Sequence, residues 1–123
     1  MKITNNLEYL YIQQFDSPDL PGSSVNMDLE FLYKLNAVGG VLGKRLIVTS
    51  GYRTKVHNVK IKGSNNSSHL RGLGADVVCL SGRDKWHFIT ACMSVGLTRF
   101  GVGKSFVHVD CDKSLPSKVF FCY

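Results

Sequence analysis

The stretch "SSHLRGLGADVVCL", residues 67–80, places an imidazole, two glycines and a carboxylate at the mouth of an apolar run. Asp76 stands seven positions after His69, and a carboxylate half-entering a core is costly unless it is paired or bound to a cation. Gly72 and Gly74 between them allow the chain to turn back so that the two side chains converge. Further on, "SFVHVDC" at 105–111, if extended, projects Phe106, His108 and Asp110 to one side and Val107 and Val109 to the other. His108 is then a candidate third partner for His69 and Asp76. Two histidines and one carboxylate are a common set for catalytic Zn²⁺ with its fourth position open, and the chemistry such an ion serves is hydrolysis of an amide. Residue types alone leave two other readings of the stretch. It could be a turn into a buried strand in which His69 is purely structural, or a phosphate loop. The phosphate loop fails on context, because the glycines precede a strand instead of opening a helix after one, and no GK[ST] follows.

The elements that must position these residues can be read in outline. "FDSPDLPGSSVN" (15–26) is dense in turn formers and ends at Asn26, the expected N-cap of a helix. From Met27 to Val38, Phe31, Leu35 and Val38 recur at helical spacing with Leu32 beside them, and Gly39-Gly40 supplies the stop. "RLIVTSGYR" (45–53) reads as a short strand ending in a glycine turn that delivers Tyr52 and Arg53. Residues 54–68 have little periodicity and read as an ordered loop with at most one helical turn. "ADVVCL" (75–80) reads as a buried strand. Ser81 with Asp84 then forms a capping pattern ahead of "KWHFITACMSV", whose Phe88, Ala91, Cys92 and Val95 mark a buried helical face ending at Gly96. "TRFGV" and "SFVHVDC" form a hairpin-like pair around Gly103-Lys104, and "SLPSKVFFCY" is a candidate edge strand with Pro116 near its start. The expectation is one α+β domain over 1–123, a small antiparallel sheet with two or more helices packed on it.

Composition bounds the partners. With 123 residues and a formal charge of +6, the chain can bury one core and favours an anionic partner: nucleic acid, a membrane surface or acidic cell-wall polymer. The densest basic stretch, "RTKVHNVKIK" (53–62), lacks the interleaved aromatics that stack bases. No apolar run reaches the roughly 20 residues of a membrane span, and "MKITNNLEYLYIQQF" offers no continuous apolar region of a secretory signal. Cys79, Cys92, Cys111 and Cys122 lie far apart without a CxxC pair, which argues against a thiolate zinc knuckle. They read as reduced, packed thiols, with two disulfides the open alternative.

Three blocks carry a family resemblance: "SGYRT" (50–54), "SSHLRGLGAD" (67–76) and "GVGKSFVHVD" (101–110). The chain resembles the M15 zinc peptidases, a family with D-alanyl-D-alanine carboxypeptidases, phage endolysins cutting L-alanyl-D-glutamate bonds, and murein endopeptidases. The Hedgehog signalling domain shares their fold. The middle block is similar to the family pattern S-x-H-x-x-G-x-A-x-D through Ser67, His69, Gly72 and Asp76, with Gly74 where alanine is usual. The resemblance implies that His69, Asp76 and His108 hold Zn²⁺. It implies that Arg53 binds a substrate carboxylate or the developing oxyanion, with a surface salt bridge as the bland alternative. Ser67 would orient the ligand loop, and Asn58 with Gly63 echo the family's approach to it. His57 and His87 are read as loop and helix residues without a role.

One departure bears on mechanism. Many members carry an acid a few residues before the last zinc histidine as general base, whereas here Ser105 stands three before His108 and no acid lies between Leu97 and Val107. Asp110 is the best substitute as base, and equally a group that orients a ligand. The expected activity is hydrolysis of a peptide bond in peptidoglycan stem peptides or cross-links by a monomeric protein. It would be made in a bacterial host's cytoplasm and act at the wall or periplasm, or be carried by a virion, for phage lysis or wall penetration. Two rivals stand beside it. A zinc-containing protein of this fold could bind wall peptide without cutting it. A basic nucleic-acid-binding module would instead show salt-dependent DNA binding indifferent to chelators. A cysteine hydrolase using Cys79 or Cys111 would need an exposed, activated thiol, which their apolar settings disfavour.

Overall fold

Along "FVHVD", Val107 and Val109 are fully buried while His108 and Asp110 turn to the opposite face, and this alternation sets the two sides of the molecule. A computed structural model of the chain describes residues 7–123, so the first six residues of the N-terminal segment tested for a secretory signal lie outside it. The strands are β1 (Val48–Ser50), β2 (Gly74–Val78), β3 (Arg99–Val102), β4 (Phe106–Asp110) and β5 (Val119–Cys122), in the spatial order β1-β2-β4-β3-β5. All neighbours are antiparallel except β5, which runs parallel to β3. The helices are α1 (Leu29–Leu42), α2 (Lys55–Lys60) and α3 (Gly82–Ser94). The fold is α+β, as the sequence implies.

Phe31, Leu32, Leu35 and Val38 of α1 and Phe88, Ala91 and Cys92 of α3 enter one buried cluster with Ala75, Val77, Phe100, Val107 and Val109 of the sheet. The two helices also pack on each other. The other face of the central strands carries Asp76, His108 and Asp110, with the Phe106 ring at its margin. There the register pairs Asp76 with His108 across β2 and β4, and Gly101 with His108 across β3 and β4.

Several boundaries differ from the sequence reading. Asn26 does not cap α1; it belongs to a separate 3₁₀ turn, Ser23–Asn26, and its amide donates to the Ser23 carbonyl at 3.1 Å. The cap is Asp28, whose carboxylate accepts from the Phe31 amide at 3.0 Å. Gly39-Gly40 does not stop the helix, which continues to Leu42 and ends at Gly43. Gly39 is buried against Tyr9, so packing from another part of the chain outweighs the local stop signal. Residues 45–47 stay outside the β1 ladder, although the Ile47 carbonyl accepts from the Val78 amide at 2.8 Å. The 54–68 region holds the six-residue α2, a little more than the single turn expected, capped by Thr54 accepting from the His57 amide at 3.1 Å. Ser81 caps α3 as anticipated, accepting from the Asp84 amide. All four cysteines are free thiols, and among the described residues no helix is long and apolar enough to cross a membrane.

Because Asp28 and not Asn26 satisfies the first turn of α1, Asp28→Ala is expected to cost about 1 kcal/mol of unfolding free energy. Asn26→Ala should cost markedly less. Urea denaturation of the two variants beside the parent chain checks the ranking.

Candidate metal centre

His69 sits in a 3₁₀ turn, Ser68–Arg71, that the chain builds from short polar residues. The Ser67 hydroxyl accepts from the His69 amide at 3.2 Å, and Gly72 closes the turn in the left-handed region with φ 70°. Residues following β1 grip the turn from outside, with the Arg53 amide donating to the His69 carbonyl at 3.0 Å. The imidazole is buried, and its Nδ1 lies 2.7 Å from the Gly51 carbonyl oxygen. A carbonyl can only accept, so Nδ1 carries the proton and Nε2 presents a lone pair.

His108 is arranged the other way round. Its Nε2 lies 2.7 Å from Asp110 Oδ2, so the proton belongs on Nε2 and the lone pair on Nδ1. The Asp76 carboxylate enters between the two rings from β2. His108 Nδ1 is 3.0 Å from Asp76 Oδ1, His69 Nε2 is 3.3 Å from the same oxygen, and the two nitrogens are 3.2 Å apart. His69, Asp76 and His108 are thus brought together, as one group of possible metal ligands.

The donor set suits a divalent cation. Three acceptor atoms face one another with their protons committed elsewhere, an arrangement that is repulsive until a positive charge enters. Tetrahedral zinc bonds of about 2.0–2.1 Å put ligand atoms about 3.3–3.4 Å apart, close to the spacings found. Until an ion enters, protons drawn onto the facing nitrogens supply that charge: burial works against the charge on Asp76, but hydrogen bonds from the imidazoles so protonated outweigh it and hold the carboxyl well below the usual range. Burial likewise opposes a charged His108, yet Asp110 and Asp76 outweigh it and raise its pKa.

Asp110 is almost wholly buried and fully engaged. Besides His108 it accepts from Arg99 Nε at 3.0 Å and from the Asp112 amide at 3.1 Å. Arg99 also donates to the Pro116 carbonyl at 2.8 Å. Asp110 therefore stands behind His108, against the nitrogen that points away from Asp76. Arg53 lies on the opposite side. Its guanidinium donates to Ser50 Oγ, Asn58 Oδ1 and Ser67 Oγ at 3.3, 3.1 and 3.4 Å, and its Nη2 is 3.8 Å from Asp76 Oδ2. Asn58 is buried, and its amide donates to the Ser64 carbonyl at 3.0 Å.

Gly74, which departs from the family's alanine, opens β2 and takes no part in the turn. A methyl at this position would run into Ser68 Oγ and approach His108 Cε1 to 3.1 Å, so the hydroxyl of Ser68 occupies the space. The centre opens into a cleft of about 530 Å³ that also presents Lys62, Asn66, Phe121 and Tyr123. Burial, with the charges of Asp76 and Asp110, pushes the Tyr123 phenol up to about 12 against the opposing effect of Arg53 and Arg99. His57, His87 and Ser105 do not line the cleft.

The sequence reading missed Arg99, the Arg71–Asp112 ion pair at 2.6 Å, and the two aromatic residues. Arg99 faces Asp110 across β3 and β4, a pairing that becomes visible once the hairpin register is assumed. Phe121 and Tyr123 carry no local signal. Cys79 and Cys111 are pushed up to about 11 by burial, the reverse of what a thiolate nucleophile requires.

Residues 13–112 match the Peptidase M15 family, and the chain belongs to that family, a family of metallopeptidases. No curated protein matches the chain.

The converging lone pairs predict one equivalent of zinc bound per chain in calorimetric titration. Alanine at His69, Asp76 or His108 should abolish the stoichiometric step while the circular dichroism of the fold persists. Asp110→Asn, which alters the contact behind His108 together with the Arg99 ion pair while leaving the three ligand candidates in place, should weaken zinc affinity about 10–100-fold.

Proposed function

We propose that this chain is a zinc-dependent peptidase that hydrolyses a peptide bond in bacterial peptidoglycan stem peptides or cross-links. The observation that carries the reading is the meeting of His69 Nε2, Asp76 Oδ1 and His108 Nδ1 within 3.0–3.3 Å of one another at the floor of an open cleft. A zinc ion held there supplies a Lewis acid that polarises the scissile carbonyl and activates water for attack. The chain's own residues do the rest. The Gly51 carbonyl and Asp110 hold the two imidazoles in the tautomers that leave a lone pair for the ion. Arg53 is held by Ser50, Asn58 and Ser67, with its charge 3.8 Å from the far oxygen of Asp76. That charge suits the carboxylate of a stem peptide or the oxygen that becomes negative as water adds.

Of the two roles open to Asp110, we propose orientation of His108. Both of its oxygens are occupied, and a general base needs a lone pair free toward the attacking water. The net charge of +6 supports approach to anionic wall polymer. Host lysis or wall penetration by a bacteriophage, with action at the wall or periplasm, is the setting we propose. The full engagement of Asp110, and Ser105 at the usual place of the base, favour a second reading in which the same centre binds wall peptide without turnover.

Digestion of purified peptidoglycan followed by mass spectrometry of the fragments separates these readings. Zinc-loaded protein is expected to release cleaved stem peptides, a chelator to stop it, and added zinc to restore it. His108→Ala should lose at least about 1,000-fold in rate, the scale of a removed machinery residue. Intact muropeptides from the zinc-loaded parent chain would sink the enzyme and leave the binder, which calorimetry with soluble muropeptide then measures.

A further inference from the structure

Across the sheet, Asp76, His108, Gly101 and Phe121 stand in one row, each paired with the next through β2, β4, β3 and β5. The row begins with a metal-ligand candidate and ends with an aromatic ring. Phe121 lies 5.7 Å from the His108 ring, centroid to centroid, and Tyr123 lies 6.4 Å from it. Tyr123 packs at 5.7 Å on Phe121 and at 5.0 Å on Phe106. Gly101 makes the room, because a Cβ there would run into the Phe121 ring and come within 2.7 Å of Tyr123 Cε2. The Tyr123 amide is tied to the Val102 carbonyl at 3.1 Å, and its side chain, 69% exposed overall, is held by tilted contacts with Phe106 and Phe121.

The two rings differ in their work. Arg99 lies over Phe121 at 5.3 Å while it holds Asp110, which makes Phe121 part of the support behind His108. Tyr123 lines the same cleft, and its hydroxyl makes no hydrogen bond among the described residues. A phenol is a neutral donor at physiological pH. Arg53 has donors on three hydroxyl or amide oxygens already, so a second, uncommitted donor on the aromatic side complements it.

Resting on the peptidase reading above, we propose that Tyr123 contacts the substrate directly, its hydroxyl donating to the oxygen of the scissile carbonyl and its ring forming the wall beside the adjoining side chain. A donor aimed at an oxygen that gains negative charge lowers the barrier more than it tightens ground-state binding. An aromatic wall of this kind admits a small aliphatic side chain, whose apolar surface it covers.

The test uses two readouts on the zinc-loaded chain, Tyr123→Phe and Gly101→Ala. The first is calorimetric binding of a phosphinate analogue of alanyl-alanine, in which a tetrahedral anion replaces the amide. The second is kinetics on soluble muropeptide. Tyr123→Phe keeps the ring and should bind the phosphinate at least tenfold more weakly, with zinc affinity unchanged. On muropeptide it should lose about 100-fold in kcat with KM within about twofold. Gly101→Ala, which displaces both rings, should reproduce the weaker phosphinate binding. Equal phosphinate affinity in the parent chain and Tyr123→Phe overturns the assignment of Tyr123 even where the parent cuts muropeptide. A parent chain that neither binds the phosphinate nor cuts muropeptide overturns the peptidase reading and this one together.

Discussion

Two imidazole nitrogens and one carboxylate oxygen meet within 3.0–3.3 Å, a convergence of acceptors that calls for a positive charge among them, and the rest of the structure is arranged around that demand. Each imidazole has its proton drawn to the far side. His69 gives it to the Gly51 carbonyl and His108 gives it to Asp110. Without those two acceptors either ring could flip or exchange tautomers, and the meeting point would become an ordinary hydrogen-bonded pair. The arrangement is therefore a group of possible metal ligands whose orientation the protein has already fixed.

Holding such groups together requires buried charge, and buried charge requires partners. Asp110 and Asp112 are both buried at the end of β4, and each is matched by an arginine from a different element, Arg99 from β3 and Arg71 from the ligand turn. The second pair has a mechanical consequence. Arg71 follows His69 by two residues, so its ion pair with Asp112 fastens the turn that carries one imidazole to the strand that carries the other. Arg71 also binds the side chain and carbonyl of Asn66, which extends the clamp to the loop at the cleft's edge. Together, these contacts make the distance between His69 and His108 a property of the whole sheet.

The cleft is asymmetric in a way that matters for recognition. Arg53, Lys62, Asn66 and Ser67, which follow β1 at one edge of the sheet, offer charge and hydrogen bonds, and Phe121 and Tyr123, at the β5 edge, offer aromatic surface beside the Arg99 guanidinium. A ligand that carries an anionic group a short distance from a small aliphatic one satisfies both sides at once.

Some of this was legible before any coordinates. The heptad-like apolar residues of α1 and α3, the Ser81 cap and the inward Val107 and Val109 follow from periodicity, because a helix or strand can bury only one face. The order and spacing of His69, Gly72, Asp76 and His108 identified the family. Other features depended on contacts that local sequence does not encode. Gly39-Gly40 reads as a helix stop, yet Tyr9, thirty residues earlier in the chain, packs on Gly39 and lets α1 continue. Asn26 and Asp28 are both good caps by type, and only the separate turn at Ser23–Asn26 decides between them. The sequence by itself determined the kinds of groups available and their family, since donor chemistry and spacing are local properties. Only the tertiary structure decided which nitrogen of each histidine faces the centre, that Asp110 stands behind His108, and that Tyr123 reaches the cleft. Those outcomes depend on strand register and on β5 joining β3 in parallel, and both are set by which distant surfaces bury one another.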